Sequence, residues 1–304
     1  MNFSHRRRFF FIGFIAIVLI AGGVVIGVYW FGGNNHSKFD GNQAMQDVQY
    51  QINLGDRIPE SPGHAKVVTW IQAELQKAGW TAEVQQATRM GHPILNIVAR
   101  QNGSNIPTQP WVVLGAHYDT RIYADQDPDM QKRTQYVPGA NDGASGVAIL
   151  LELARSLPKN LPVRVWLVFF DAEDNGDIPG WDWLLGSQAF VSTLTSKPDA
   201  AVVVDMVGDK DLGIYLERNS NPGLSAAIWG EAAKLGYKQF IPVPKYAMLD
   251  DHTPFLQAGI PAVDIIDFDY PYWHTTADTP DKVSGSKMKA VGDTLAAWLE
   301  SGIK

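Results

Sequence analysis

A series of short apolar runs, four of which lead into acids or histidines, constrains this chain more than any other feature. The runs are Ile94–Ala99, Trp111–Leu114, Val163–Phe170, Ala200–Val204 and Ala262–Ile266. They are too short for membrane-spanning helices and rich in β-branched and aromatic residues, which reads as buried strands. Between and around them lie helical patterns at Gln43–Leu54, Ala65–Ala78, Gly146–Leu157, Ser187–Leu194 and Lys287–Glu300. In the second of these, Val67, Val68, Ile71 and Leu75 share one helix face and Gly79 supplies the stop. Strands apolar on both faces and alternating with helices predict an α/β fold, an open sheet covered on both sides.

In such a sheet, chemistry collects beyond the carboxyl ends of the strands. Trp111–Ala116 runs into His117, Tyr118 and Asp119; Val163–Phe170 into Asp171, Glu173 and Asp174; Ala201–Val204 into Asp205; Ala262–Ile266 leads on to His274. The chain has no cysteine, so disulfides, thiolate metal sites and a thiol nucleophile are excluded, and any metal must be held by His, Asp or Glu. Of the seven histidines, His5, His36, His64 and His92 read as solvated or capping residues, whereas His117, His252 and His274 stand near strand ends, acids or aromatics. Asp142, in the glycine-rich turn Gly139–Gly146 before a helix, has two readings: an N-terminal cap, or a carboxylate ligand on a turn that allows close backbone approach. The adjacent Glu173 and Asp174 suit different tasks, one moving protons and the other binding a hard cation.

The net charge of −7 opposes nucleic-acid binding, which needs a basic surface. That charge is uneven. Arg6, Arg7 and Arg8 put +3 on the first eight residues, leaving −10 for the remainder. Phe9–Trp30 follows with 22 uncharged residues, long enough as a helix for about 33 Å. The expectation is a basic cytoplasmic stub over 1–8, an uncleaved single-pass anchor over 9–31 oriented N-in, a Gly/Asn-rich linker over 32–42, and one extracytoplasmic domain over 43–304. The competing reading is a cleaved signal peptide, but its apolar region is usually shorter and no small-residue cleavage site follows here.

Taken in order, Gly115–Thr120, Gly139–Gly146, Phe169–Asp174, Asp205–Gly208, Asp250–His252 and Trp273–Thr275 resemble the motifs of the zinc exopeptidase family. That family includes bacterial leucyl-type aminopeptidases and glutaminyl cyclases, and the resemblance runs from about Asn42 to the end. It implies the family's phosphorylase/hydrolase-like fold, a mixed, mostly parallel sheet flanked by helices. A two-zinc aminopeptidase of this kind would use Asp142 as a bridge, His117 and Asp205 on one side, Asp174 and His274 on the other, and Glu173 as general base. A cyclase would use one zinc on Asp142, Asp174 and His274, with Glu173 moving the proton and Asp250 beside Asp205 in its support.

Three details favour the cyclase branch. Asp250 stands where hydrolytic relatives usually carry serine, Trp273 precedes His274, and Gly180–Gln188 is similar to the cyclase segment after the acid pair. The resemblance therefore implies an enzyme acting on peptide N-termini, converting terminal glutamine to pyroglutamate, with aminopeptidase as the alternative and an inactive peptide binder as a third reading. Trp273 and Trp181 are the substrate-binding candidates, with Trp183, Tyr118, Arg121, Tyr270 and Tyr272 as further pocket candidates. Two departures stand out: most members carry Glu-Glu at Glu173-Asp174, and the disulfide of animal cyclases cannot form.

Overall fold

The computed structural model describes residues 39–101 and 108–303. In chain order the elements are α1 (Gly41–Asn53), α2 (Pro62–Lys77), β1 (Trp80–Arg89), β2 (His92–Gln101), β3 (Trp111–His117), α3 (Ala144–Ser156), β4 (Arg164–Phe170), α4 (Leu185–Ser192), β5 (Ala200–Asp205), β6 (Ile214–Leu216), α5 (Pro222–Leu235), β7 (Phe240–Pro244), α6 (Thr253–Gln257), β8 (Ala262–Ile266) and α7 (Gly285–Glu300). Six strands form one sheet in the order β1-β2-β4-β3-β5-β8, and β6 and β7 pair separately. The neighbours β4, β3, β5 and β8 are parallel, whereas β1, β2 and β4 pair antiparallel. This is the mixed, mostly parallel α/β sheet expected from the sequence.

Alternation along the strands divides the core in two. Val112, Leu114 and Ala116 of β3, Val165, Leu167 and Phe169 of β4, and Val202 and Val204 of β5 pack with apolar residues of α1, α2, α3, α5 and α7. Their neighbours Trp111 and Val113, Val168 and Phe170, and Ala201 and Val203 pack with Phe190 of α4 and Phe255 of α6. Period-two alternation with both faces apolar is what reads, in sequence, as an unbroken hydrophobic run. Each fully buried Leu or Phe on these faces contributes about 1.5–3 kcal/mol through removal from water.

Five elements, β1, β6, β7, α5 and α6, are absent from the sequence expectation; β6 is only three residues long and β7 five. β1 is a half-exposed edge strand with polar side chains, paired along its length only to β2. α5 carries small residues and little amphipathic contrast, yet Asn221 caps it through its Oδ1 and Gly236 closes it in the left-handed conformation. α6 is only five residues long. The anchor expected over 9–31 lies outside the described residues; among those described, no helix is long and apolar enough to cross a membrane.

Candidate active site

The parallel strands deliver their terminal residues to one place. His117 ends β3, Asp205 ends β5, and Glu173 and Asp174 follow β4 on a short turn. Asp142 precedes α3, Asp250 lies three residues before the start of α6, and His274 lies on the loop after β8. His117 Nε2 is 3.0 Å from Asp142 Oδ1 and 3.2 Å from Asp205 Oδ1. On the other side, His274 Nε2 is 2.7 Å from Asp174 Oδ1 and 3.8 Å from Asp142 Oδ2. The two oxygens of Asp142 thus face different histidines.

The capping alternative for Asp142 does not describe this geometry. The N-cap of α3 is Gly143, with no side-chain cap hydrogen bond. A Cβ at Gly143 would meet His117 Nε2 at 2.5 Å, so glycine here lets the imidazole lie against the turn. Asp142 is instead held through its backbone: Asp278 Oδ1 and Oδ2 accept from the N–H groups of Asn141 and Asp142 at 2.9 and 3.1 Å, and Asp278 also accepts from Tyr270 Oη at 2.6 Å. Beneath the turn, the buried Arg57 donates to the carbonyls of Tyr118, Pro138 and Gly139.

A similar support lies under the acid pair. Asp119 accepts from the N–H groups of Glu173 and Asp174 at 3.1 and 3.3 Å and from Asn175 Nδ2 at 3.3 Å, and stands 3.4 Å from His117 Nδ1. The backbone is left-handed at Ala172 (φ 50°), Met206 (φ 47°) and His274 (φ 54°). Non-glycine residues in that region cost energy, and all three adjoin or belong to the site, where the fold holds the strain in place.

A cavity of about 210 Å³ opens here, lined by Asp142, Glu173, Asp174, Asp205 and Asp250 on its polar side and by Trp183, Met206, Met248, Leu249, Ile266, Phe268 and Trp273 elsewhere. Burial raises the Glu173 carboxyl well above its ordinary value, against the pull of His117 and with the help of Asp174, Asp251 and Asp250. Burial, reinforced by Asp142, also raises Asp174 to about 6. Trp183 lies parallel to the His274 ring at 6.2 Å and Trp273 stacks on it at 3.8 Å.

Several expected side chains lie elsewhere. Trp181 stacks on His92 at 3.6 Å and packs near Ile94 and Leu185, outside the cavity, whose tryptophans are Trp183 and Trp273. Tyr118 is buried and donates to the Leu95 carbonyl; Arg121 is buried beside Asp125; Tyr270 serves Asp278; Tyr272 lies edge-on to Tyr270. His64 is not solvated but 3% exposed, with Nε2 2.7 Å from Asp171 Oδ1. The supporting residues Asp119, Asp278 and Arg57 carried no assignment from sequence, although Asp119 lies within the same short motif as His117. The signal was proximity in the chain, which does not say which of two neighbouring side chains faces the cavity.

Among the described residues, three groups bring metal-capable atoms within 4.8 Å of one another: His117, Asp142 and Asp205; Asp142, Asp174 and His274; and Asp250, His252 and Asp264. The first two share Asp142. The third lies behind Asp250, where His252 Nε2 is 3.4 Å from Glu217 Oε2.

Comparison with known proteins agrees with this architecture. A family model, peptidase family M28, matches residues 96–299. The aminopeptidase YwaD of Bacillus subtilis is 28% identical over 229 residues, 69% of this chain, and the chain spans 45% of that protein's length. The glutaminyl cyclase of Porphyromonas gingivalis superposes with a TM-score of 0.81 at 35% identity, covering 87% of this chain and 99% of that one. A Zn-dependent exopeptidase of Parabacteroides distasonis gives 0.80 at 29% identity, covering 87% and 99%. The matched span contains β4, β3, β5 and β8 of the six-stranded sheet, part of β2, and every residue of the cavity's acidic wall, and on that basis the chain belongs to peptidase family M28.

Proposed function

We propose that this enzyme cyclises the N-terminal glutamine of peptides to pyroglutamate, releasing ammonia. The observation that carries this reading is Asp250, whose carboxylate shares one small cavity with Glu173, Asp142, Asp174 and Asp205. Similarity to the Porphyromonas gingivalis glutaminyl cyclase supports it. In the reaction the α-amine nitrogen bonds to the side-chain amide carbon, and the bond from that carbon to the amide nitrogen breaks. One proton leaves the attacking amine and one must reach the departing nitrogen. Glu173, buried in the cavity wall, is placed to accept the first and deliver the second. Asp250 and Asp205 line the same wall, where they would support the proton transfer through Glu173. Trp183, Trp273 and Phe268 exclude water and fold the glutamine so that its two ends meet, which turns the attack into a problem of positioning.

The side chains present fit a zinc ion. Asp142 Oδ2 and Asp174 Oδ2 are buried without hydrogen-bond partners, and with His274 they form an oxygen and imidazole set. A zinc held by Asp142, Asp174 and His274 would polarise the glutamine side-chain carbonyl. The alternative, hydrolytic removal of the N-terminal residue, is favoured by one observation: His117, Asp142 and Asp205 form a second group able to take a metal. One zinc goes with cyclisation and two with hydrolysis. The apolar run Phe9–Trp30 after Arg6–Arg8 supports an anchored enzyme with residues 43–304 as a single catalytic domain outside the cytoplasm.

The test uses the full chain in detergent with a Gln-initiated and a Leu-initiated peptide, read by mass spectrometry. Loss of ammonia from the first, with the second intact, is the expected result. Release of free leucine with no ammonia loss overturns it in favour of the aminopeptidase.

A further inference from the structure

Arg121 and Asp125, on the loop after β3, take no part in the reaction as described, yet Arg121 is only 3% exposed. Its Nε and Nη2 donate to Asp125 Oδ1 and Oδ2 at 3.0 and 2.6 Å, a two-pronged pair. Its Nη1 donates to the carbonyls of Asp174 and Gly176 at 2.9 and 3.0 Å. Asp125 Oδ1 in turn stands 3.5 Å from His274 Nδ1, while the backbone N–H of Gln126 donates to the His274 carbonyl at 3.2 Å. The imidazole of His274 therefore has a carboxylate on each side, Asp174 at Nε2 and Asp125 at Nδ1.

We propose that Arg121 and Asp125 are positioning residues that fix the ring of His274 with Nδ1–H toward Asp125 and the Nε2 lone pair toward the metal position. This rests on the reading that Asp142, Asp174 and His274 hold zinc. A neutral imidazole has one donor and one acceptor nitrogen, and a carboxylate beside Nδ1 selects the tautomer that leaves Nε2 free to ligate. The left-handed backbone at His274 is not one that ordinary preference would hold, so the ring's aim depends on its neighbours. Arg121 adds a second effect. Because the same guanidinium grips Asp125 and the Asp174 carbonyl, the two proposed ligands are tied into one unit. An ordinary surface ion pair would do little here, but this guanidinium is buried and also serves two backbone carbonyls, while the Asp125 side of the fork is 37% exposed.

The test measures the zinc dissociation constant of the metal-stripped full chain by chelator competition, for Asp125→Ala, Asp125→Glu, Arg121→Lys and the control His274→Ala. The melting temperature of each zinc-free protein is followed by circular dichroism. Asp125→Ala and Arg121→Lys are expected to weaken zinc about 10- to 100-fold, with part of the loss recovered in Asp125→Glu and zinc-free melting unchanged. Wild-type zinc affinity in Asp125→Ala, alongside a weakened His274→Ala, overturns the positioning role. So does a zinc-free melting temperature that falls in Asp125→Ala, since the residue then serves general stability. Wild-type affinity in His274→Ala overturns the metal reading instead, which keeps the two failures apart.

Discussion

Two sets of buried acids lie within this protein, and they are treated in opposite ways. In the inner set, at the cavity wall, Asp142 Oδ2, Asp174 Oδ2 and Asp250 Oδ2 have no hydrogen-bond partner. In the outer set, Asp119, Asp278, Asp171 and Glu217 accept backbone N–H groups: Glu173 and Asp174, Asn141 and Asp142, Leu95, and Asn219, Ser220 and Met248 respectively. A buried carboxylate without partners costs several kcal/mol, and a fold keeps one where something outside the protein completes it. The outer acids spend their lone pairs on the chain: Asp119 and Asp278 hold the segments that carry Glu173, Asp174 and Asp142, and Glu217 holds Met248, two residues before Asp250. Around the cavity the difference separates acids that face the open space from acids that hold the backbone; Asp251 and Asp264, buried with unpartnered oxygens outside the cavity lining, belong to neither set.

The largest effect should come from the inner set. Glu173→Gln keeps the shape of the side chain and removes its capacity to carry a proton. Turnover of a Gln-initiated peptide should fall about 10²- to 10⁴-fold, while bound zinc, measured by atomic absorption, stays at the wild-type level. Near wild-type turnover would show that the proton travels through another group, and the inner set would then need a new division of labour.

Next in size is a change to the outer set. Asp278→Ala strips the N–H groups of Asn141 and Asp142 and the hydroxyl of Tyr270 of their acceptor. The Asp142 turn should loosen, weakening zinc binding about 10- to 100-fold in chelator competition. An unchanged affinity would mean that Arg57, under the same turn, suffices alone.

Glu217 lets the comparison be read through pH. Burial would raise its carboxyl, but hydrogen bonding from His252 and from the N–H groups of Asn219 and Met248, with Ser220, outweighs that and holds it down to about 2. A carboxyl depressed in the folded state contributes stability that is present above the unfolded value of 4.5 and is lost as pH falls toward 2. By pH 3 the loss should be about 2 kcal/mol relative to pH 6. Urea midpoints of the wild type and Glu217→Gln at both pH values isolate this contribution. The variant's midpoint should fall less between them, and parallel falls would remove Glu217 from the outer set.

The same division explains what could be read from the chain. The parallel strands were legible because both of their faces are buried, so Val163–Phe170 and Ala200–Val204 announce themselves. β1 was not, because its polar Glu83, Gln86 and Thr88 are exposed on an edge strand and no apolar run marks it. His117, Glu173, Asp174 and Asp205 stood out because they end or closely follow apolar runs, whereas Asp142 and Asp250 stand before helices and took their site roles from the resemblance. Side-chain direction was not: Asp119 and Asp171 sit at strand ends as Asp205 does, and only the packing shows that they turn back toward backbone N–H groups. His64 looked like a turn histidine because its partner, Asp171, is 107 residues away.

The smallest expected effect concerns the two tryptophans of the turn after β4, which differ as the two acid sets do. Trp183 lines the cavity and lies parallel to His274, and Arg121 packs over it at 5.1 Å. Trp181, two residues earlier, faces away onto His92. Loss of one aromatic contact is worth about 0.5–1.5 kcal/mol, so Trp183→Leu should lower kcat/KM for a Gln-initiated peptide about 2- to 12-fold. Trp181→Leu should leave it within about twofold, with any change confined to melting temperature, because its ring contributes packing and no cavity wall. If Trp181→Leu lowers kcat/KM as much as Trp183→Leu, the substrate reaches past the cavity rim toward His92, and the binding surface is wider than the acid wall and its aromatic sides.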